Sequence, residues 1–295
     1  MHARLLRSCN VRAIDHHQSF WSAYQFLHHF RRGAHCLRSG ALSSIHRLNL
    51  ANSSGQSVGD EAEGAEALAT ALTRGVLPNV RELILDRNEI GDTGMAAIAN
   101  AVEAGALARL TTLSAINCHM GDAGFISLVS RAAVGALRRL SILDVSYNTI
   151  SSTGVRALAA TVYRGGLPLI EVLDLANNQV ADIGMVELAQ ALKLQRGGET
   201  VSRLPHLSEL RLNGNPFGDV AISALSHACT EGVLKEDAVL LSLGNRRFTL
   251  ANVEQRRPSP LNARASASSV HARPALGSPL GRKIAAPPLS SRGRA

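Results

Sequence analysis

Val80-Arg-Glu-Leu83-Ile-Leu85-Asp-Arg-Asn88 and Ile170-Glu-Val-Leu173-Asp-Leu175-Ala-Asn-Asn178 share one template. An apolar residue is followed by leucines three and five residues on, and by asparagine eight residues on. Between the two stretches the template recurs in steps of 30: Leu110, Leu113, Ala115 and Cys118, then Leu140, Leu143, Val145 and Asn148. Apolar residues alternating with polar ones over so few positions predict a short strand. Short strands repeated at a fixed period predict a parallel sheet built one strand per unit.

The second half of each unit repeats in the same register. Gly64, Gly94, Gly124, Gly154 and Gly184 form one series, and Leu68, Ile98, Leu128, Leu158 and Leu188 another. Met95, Ile98, Ala99 and Val102 make the stripe of a helix packed on one face. Asp92, Asp122, Ser152, Asp182 and Asp219 stand where N-cap residues are expected. Gly75, Gly105, Gly135 and Gly165 fall where a left-handed residue would close each helix, each followed two residues on by leucine. The Asn or Cys after each strand is expected to turn inward and satisfy backbone groups in the bend.

Two length changes interrupt the period. The unit begun by Ile45, Leu48 and Leu50 has its successor 35 residues on, which puts extra residues near Ser53–Gly59. From Ile170 to Leu207 the step is 37, which puts the insertion around Leu194–Arg203. Leu207, Leu210, Leu212 and Asn215 restore the template, and a further step of 30 reaches a worn strand at Asp237, Leu240, Ser242 and Asn245. The count is six good units and a degenerate terminal one. This pattern resembles the leucine-rich repeat, and its 30-residue unit with a full helix resembles the ribonuclease-inhibitor-like subclass. Ribonuclease inhibitors, the Ran GTPase-activating protein, tropomodulins and NOD-like receptors share that subclass. The resemblance covers residues 41–250 and implies an α/β solenoid, a right-handed horseshoe with parallel strands on the concave face and helices on the convex face.

The register also names the residues that point out of the sheet. They give a mixed surface in which Ile84, Ile116, Ile142, Val172 and Tyr147 lie beside Asp86, Asp144 and Asp174, with Arg87, Asn117, Asn177 and Arg211 at its margins. Apolar residues on a solenoid's inner face suggest a protein partner, against the alternative that scattered exposed aliphatics are ordinary. Asp144 and Asp174 occupy neighbouring strands as a possible carboxylate pair or cation site. No histidine or third ligand joins them, so the expectation is a solvated acidic rung, with no catalytic residue, metal or cofactor. The Ran GTPase-activating protein, the catalytic relative, works through Asn-Asn-Gly-Leu-Gly contexts. Asn177-Asn178-Gln179-Val180 has the asparagines without the glycines, and that activity is not expected here.

The charge sits at the ends. Of a formal net charge of +8, residues 1–40 carry six arginines against Asp15, and residues 246–295 ten basic residues against Glu254. The middle, 41–245, therefore has 15 basic and 21 acidic residues and is a poor nucleic-acid platform. Residues 251–295, rich in Pro, Ser and Arg, read as a disordered tail with Ser-Pro sites. Residues 1–40 form a basic segment with an expected capping helix near 19–31, where Phe20, Tyr24 and Leu27 share one face. Residues 1–14 contain Arg4, Arg7 and Arg12 and no acid, which suits a mitochondrial presequence or an ordinary basic terminus. Four scattered cysteines, without paired spacing, fit a reducing compartment. No apolar run is long enough for a membrane span. The leading expectation is a cytoplasmic, non-enzymatic scaffold that binds a protein on its concave face. The alternative is a component of a ribonucleoprotein, mitochondrial in one version, whose basic ends contact RNA.

Overall fold

The computed structural model describes residues 42–51, 61–234, 239–243 and 246–249. Strands and helices alternate in chain order: β1 (Arg47–Asn49), α1 (Glu61–Thr73), β2 (Glu82–Ile84), α2 (Gly91–Glu103), β3 (Thr112–Ser114), α3 (Asp122–Ala133), β4 (Ile142–Asp144), α4 (Ser152–Tyr163), β5 (Val172–Asp174) and α5 (Asp182–Ala191). A hairpin, β6 (Lys193–Arg196) and β7 (Glu199–Ser202), follows, then β8 (Glu209–Arg211), α6 (Asp219–Thr230), β9 (Val239–Leu243) and β10 (Arg246–Thr249). The main sheet runs β1-β2-β3-β4-β5-β8-β9-β10, parallel throughout except for β10, which pairs antiparallel with β9. The architecture is an α/β solenoid, as the period predicts.

The register pairs Leu48 with Leu83, Leu83 with Leu113, Leu113 with Leu143, Leu143 with Leu173 and Leu173 with Leu210. Each of these leucines is at most 1% exposed. They point to the helix layer, where Met95, Phe125, Val155, Met185 and Ala221 are equally inaccessible. Full burial of one such leucine contributes ~1.5–3 kcal/mol, and stacking the units makes that core continuous.

The bend after each strand is held as expected. Asn148 donates from Nδ2 to the carbonyls of Ala115 (2.8 Å) and Val145 (3.0 Å), while its Oδ1 accepts from the amides of Cys118 and Met120 (3.0 Å each). Asn178 and Asn215 repeat the arrangement one unit on each time. Cys118 stands in for an asparagine, its thiol donating to the Leu85 carbonyl at 3.3 Å. Helix ends also follow the sequence. Gly105 (φ 81°) donates to Val102 and Ala106 to Ala101, a Schellman closure repeated at Gly135 and Gly165.

Helix beginnings do not follow it. Asp92, Asp122, Asp182 and Asp219 lie inside the first turn, and the N-cap positions are Ile90, Gly121, Ala181 and Gly218. Three of these carboxylates serve the next helix instead. Asp92 Oδ1 accepts from the amides of Gly121 (2.7 Å) and Gly124 (2.8 Å). Asp122 Oδ1 accepts from Ser151 (2.8 Å) and Gly154 (3.0 Å), and Asp182 Oδ1 from Gly218 (2.7 Å) and Ala221 (3.0 Å). Ser152 Oγ accepts from the Ala181 amide at 3.0 Å, while its own helix is capped by Ser151. The glycine series has its reason here: a Cβ on Gly124 would sit 2.8 Å from Asp92 Oδ1 and 3.0 Å from Asp92 Cα. Capping is therefore a bond between units, which amide donors at a helix start favour strongly for a carboxylate.

Two further departures concern the C-terminal units. The insertion at 194–203 forms the β6–β7 hairpin, turned by Gly197 (φ 63°) and Gly198 (φ 90°). The worn strand pairs one residue earlier than a step of 30 predicts: Leu210 faces Val239 and Arg211 faces Leu240. The helix expected near 19–31, the loop near Ser53–Gly59, residues 1–14 and the tail at 251–295 lie outside the described residues.

Candidate interaction surface

The sheet face turned away from the helices carries two rows set by the pairing. One runs Arg47, Glu82, Thr112, Ile142, Val172, Glu209; the other runs Asn49, Ile84, Ser114, Asp144, Asp174, Arg211. Ile84, Ile142 and Val172 are half-buried. Ile116, after β3, is also half-buried. Apolar surface is thus open on four successive units. Arg87 and Asn117 are exposed, Asn177 is half-buried, and Tyr147 is 59% exposed.

The carboxylates are not a solvated rung. Asp174 is 5% exposed, with Oδ1 accepting the Ala176 amide (2.9 Å) and Oδ2 accepting Arg211 Nη1 (3.1 Å). Arg211 also forks onto Glu209, Nε to Oε1 and Nη2 to Oε2, both at 2.8 Å. That bidentate geometry closes the last strands of the row into one ionic cluster. Asp144 Oδ1 accepts the Ser146 amide (3.0 Å) and hydroxyl (2.7 Å), and Asp86 Oδ1 accepts the Ser114 hydroxyl (2.6 Å) and Ile116 amide (3.1 Å). Burial pushes the Asp144 carboxyl above its ordinary value, the Ser146 amide opposes it, and the charges of Asp174 and Asp86 raise it further. Alternation alone misses this closure. The signal for it lay in Glu209 and Arg211 two residues apart on one strand face, with Asp174 in register beside Arg211.

Position eight of each unit, immediately before the inward Asn or Cys, takes a left-handed backbone. Arg87 (φ 57°), Asn117 (51°), Tyr147 (57°), Asn177 (53°) and Gly214 (74°) form the series. Asparagine and glycine suit that conformation, whereas tyrosine and arginine adopt it at a cost. Among the described residues no cluster of His, Cys, Asp or Glu could hold a metal ion, and no helix is long and apolar enough to cross a membrane.

A family model described as leucine-rich repeat matches residues 76–99, 138–159, 166–189 and 203–226. The chain carries leucine-rich repeats and folds as their α/β solenoid. Such repeats generally mediate protein–protein interaction, and their solenoids typically serve as non-enzymatic scaffolds. A solved internalin from Listeria monocytogenes is similar at 16% identity, covering 70% of this chain and 56% of the internalin, with a TM-score of 0.35. No curated protein matches. The unmatched stretch between residues 99 and 138 is the unit that has Ala115 for leucine and Cys118 for asparagine.

Proposed function

We propose that this leucine-rich-repeat protein is a non-enzymatic scaffold that holds a protein partner on the concave face of its sheet, with Tyr147 as the central anchor. Tyr147 carries the reading. The residue is 59% exposed, so core packing does not retain it, and its backbone at φ 57° disfavours it relative to the asparagine found in the units on either side. A strained, exposed aromatic among half-buried aliphatics has the composition of an interface centre. Ile84, Ile116, Ile142 and Val172 extend that centre over about 15 Å at the spacing of parallel strands. The period of 30 and helices of 10–13 residues support the ribonuclease-inhibitor-like subclass.

The test is a pull-down with the intact chain from native lysate, followed by affinity measurement with the purified partner. Ile116→Asp combined with Tyr147→Ala should weaken binding by roughly 30-fold or more, the loss of about 2 kcal/mol at a central anchor. An unchanged affinity sinks the concave-face reading.

The charge partition supports the second reading, in which the basic ends contact RNA. Under that reading the full chain binds RNA with steep salt dependence and a fragment of residues 41–250 does not. The compartment is proposed as cytoplasmic, with mitochondrial import through residues 1–14 as the alternative. Imaging of a fusion with an intact N-terminus separates them.

A further inference from the structure

All helix-to-strand connections fall on one edge of a parallel solenoid, and all strand-to-helix connections on the other. The helix-to-strand edge is rich in arginine. Part of this has a structural cause. Arg164 follows directly on α4 as its C-cap, and the Arg138 guanidinium lies over Gly135 at the end of α3, within 2.5 Å of where a Cβ would stand. Cations there complement the helix dipole. Arg109 and Arg139 are different. They share one repeat position on the loops leading into β3 and β4, and both are exposed. Arg109 reaches back one unit to Asn79 Oδ1 at 2.9 Å. Neither Arg139 nor Arg164 meets a carboxylate among the described residues.

The same edge exposes apolar side chains. Val134, at the end of α3, is 71% exposed, Tyr163, at the end of α4, 63%, and Leu169, in the loop before β5, 43%. These are half of the large apolar residues that the described solenoid exposes. Leu169 occupies in its unit the position that Arg139 holds in the previous one. Arg203 stacks over the Tyr163 ring at 4.5 Å and donates from Nη1 to the Tyr163 carbonyl at 2.9 Å, pinning the base of the β6–β7 hairpin to this edge.

We propose that the edge formed by Arg139, Arg164, Val134 and Leu169 is a second docking surface, fitting an acidic protein segment that combines carboxylates with aliphatic side chains. The proposal stands apart from the concave-face reading. Arginine forks match carboxylates bidentately, and exposed aliphatics between them favour a partner that also brings apolar side chains. A phosphate backbone has nothing to place on Val134 and Leu169, and Tyr163 already has one face covered by Arg203, which removes a base-stacking platform. An anionic bilayer would meet the hairpin beside Tyr163, whose exposed tip is Arg196-Gly197-Gly198-Glu199, with no large apolar residue to insert and a carboxylate facing the lipid. Arginines set beside exposed apolar side chains are the composition of a protein interface.

The experiment uses the full chain and a fluorescein-labelled peptide repeating Glu-Glu-Leu, read by anisotropy at physiological salt. Vesicles of about one-third phosphatidylserine in phosphatidylcholine and poly(U) RNA serve as competing probes. Arg139→Glu with Arg164→Glu should lower peptide affinity roughly tenfold, and Val134→Ser with Leu169→Ser roughly threefold. The charge-matched tail variant Arg292→Glu with Arg294→Glu should change it less than about twofold. Tyr147→Ala should leave it unchanged, which separates this surface from the concave face. Circular dichroism melts confirm that the exposed-site variants fold. Equal losses in the edge and tail variants overturn the proposal, because net charge alone then explains binding. Absence of peptide binding by the unsubstituted chain overturns it too. A larger effect of the edge reversal on vesicles or on poly(U) than on peptide overturns it in favour of a membrane or RNA surface.

Discussion

Replacing Asp122 with alanine should loosen α4, although Asp122 belongs to α3. In the folded chain its Oδ1 takes the amides of Ser151 (2.8 Å) and Gly154 (3.0 Å), and its Oδ2 takes the Ser151 hydroxyl (2.5 Å). The Ser151 hydroxyl in turn accepts from the Thr153 amide at 3.0 Å. Alanine removes the acceptor from two helix-start amides and frees the serine that caps a third. Loss of a single cap costs ~1 kcal/mol, and removing a carboxylate from a helix N-terminus adds ~0.3–1 kcal/mol. The two together amount to ~1.3–2 kcal/mol, a melting shift of roughly 3–8 °C for a domain of this size. Asp122→Asn keeps an acceptor oxygen and should lose about half as much. Urea unfolding gives the total, and hydrogen exchange gives the location. Exchange should accelerate at Ser151, Thr153 and Gly154 while the α3 amides hold. If the acceleration instead falls on the first turn of α3, or if the cost is under about 0.5 kcal/mol, capping between units is not what these aspartates do.

Other substitutions probe other parts of the same framework. Leu143→Ala, at a site 1% exposed, should cost ~2–5 kcal/mol as a core cavity, and a denaturation midpoint that does not move would contradict the strand register. Tyr147→Asn should raise stability by ~0.5–1 kcal/mol, because asparagine tolerates the left-handed backbone that tyrosine is forced into; a lower melting temperature would refute it. Asp144→Asn should stabilise at neutral pH, where the raised carboxyl must be ionised in the fold. The sign follows from linkage: a carboxyl with a raised folded value binds more protons folded than unfolded, so stability falls as pH rises through that range. The gain should vanish in acid below the ordinary aspartate range, where both forms are neutral, and a pH-independent gain would point to packing instead. Burial pushes the Cys118 thiol up to about 12, so in the folded chain it should resist iodoacetamide at mildly alkaline pH and react only on unfolding; rapid labelling of the native protein would contradict its place in the bend.

What could be read from residues depended on how local the cause was. The inward leucines, the asparagines of the bends and the glycines closing the helices each answer to backbone geometry within a few residues. The spacing alone placed them. Asp92 and Asp122 answer to amides 29–32 residues away, and Asp182, across the insertion, to amides 36 and 39 away. A one-residue offset inside the first turn decides whether they serve their own helix or the next. Asp174 fails in the same way: alternation points it outward, and Arg211, from the following strand, closes over it. The hairpin is a different case, because its signal is local: Gly197-Gly198 between two short segments of Lys193–Ser202 marks a turn, whereas the period registers only a length change. At β9 the step is 29, because the degenerate unit no longer keeps the period of 30.

The left-handed series sharpens what Tyr147 means. The backbone asks for the same conformation at Arg87, Asn117, Tyr147, Asn177 and Gly214, and at the first four supports it with the same amide bond to the next unit. Tyr147 donates to the Ala176 carbonyl at 2.9 Å, as Asn117 does to that of Ser146 at 3.0 Å. With the backbone demand constant, residue identity at this position reports on something besides the fold. Asn117, Asn177 and Gly214 answer the backbone. Tyr147 does not, and an exposed side chain gains little burial to offset the strain. Tyr147→Asn is then a paired measurement, expected to gain stability and to lose partner affinity together, the trade found where a surface is kept for binding. If it gained stability without loss of binding, the tyrosine would be strain without a use on this face, and the apolar row beside it would lose its centre.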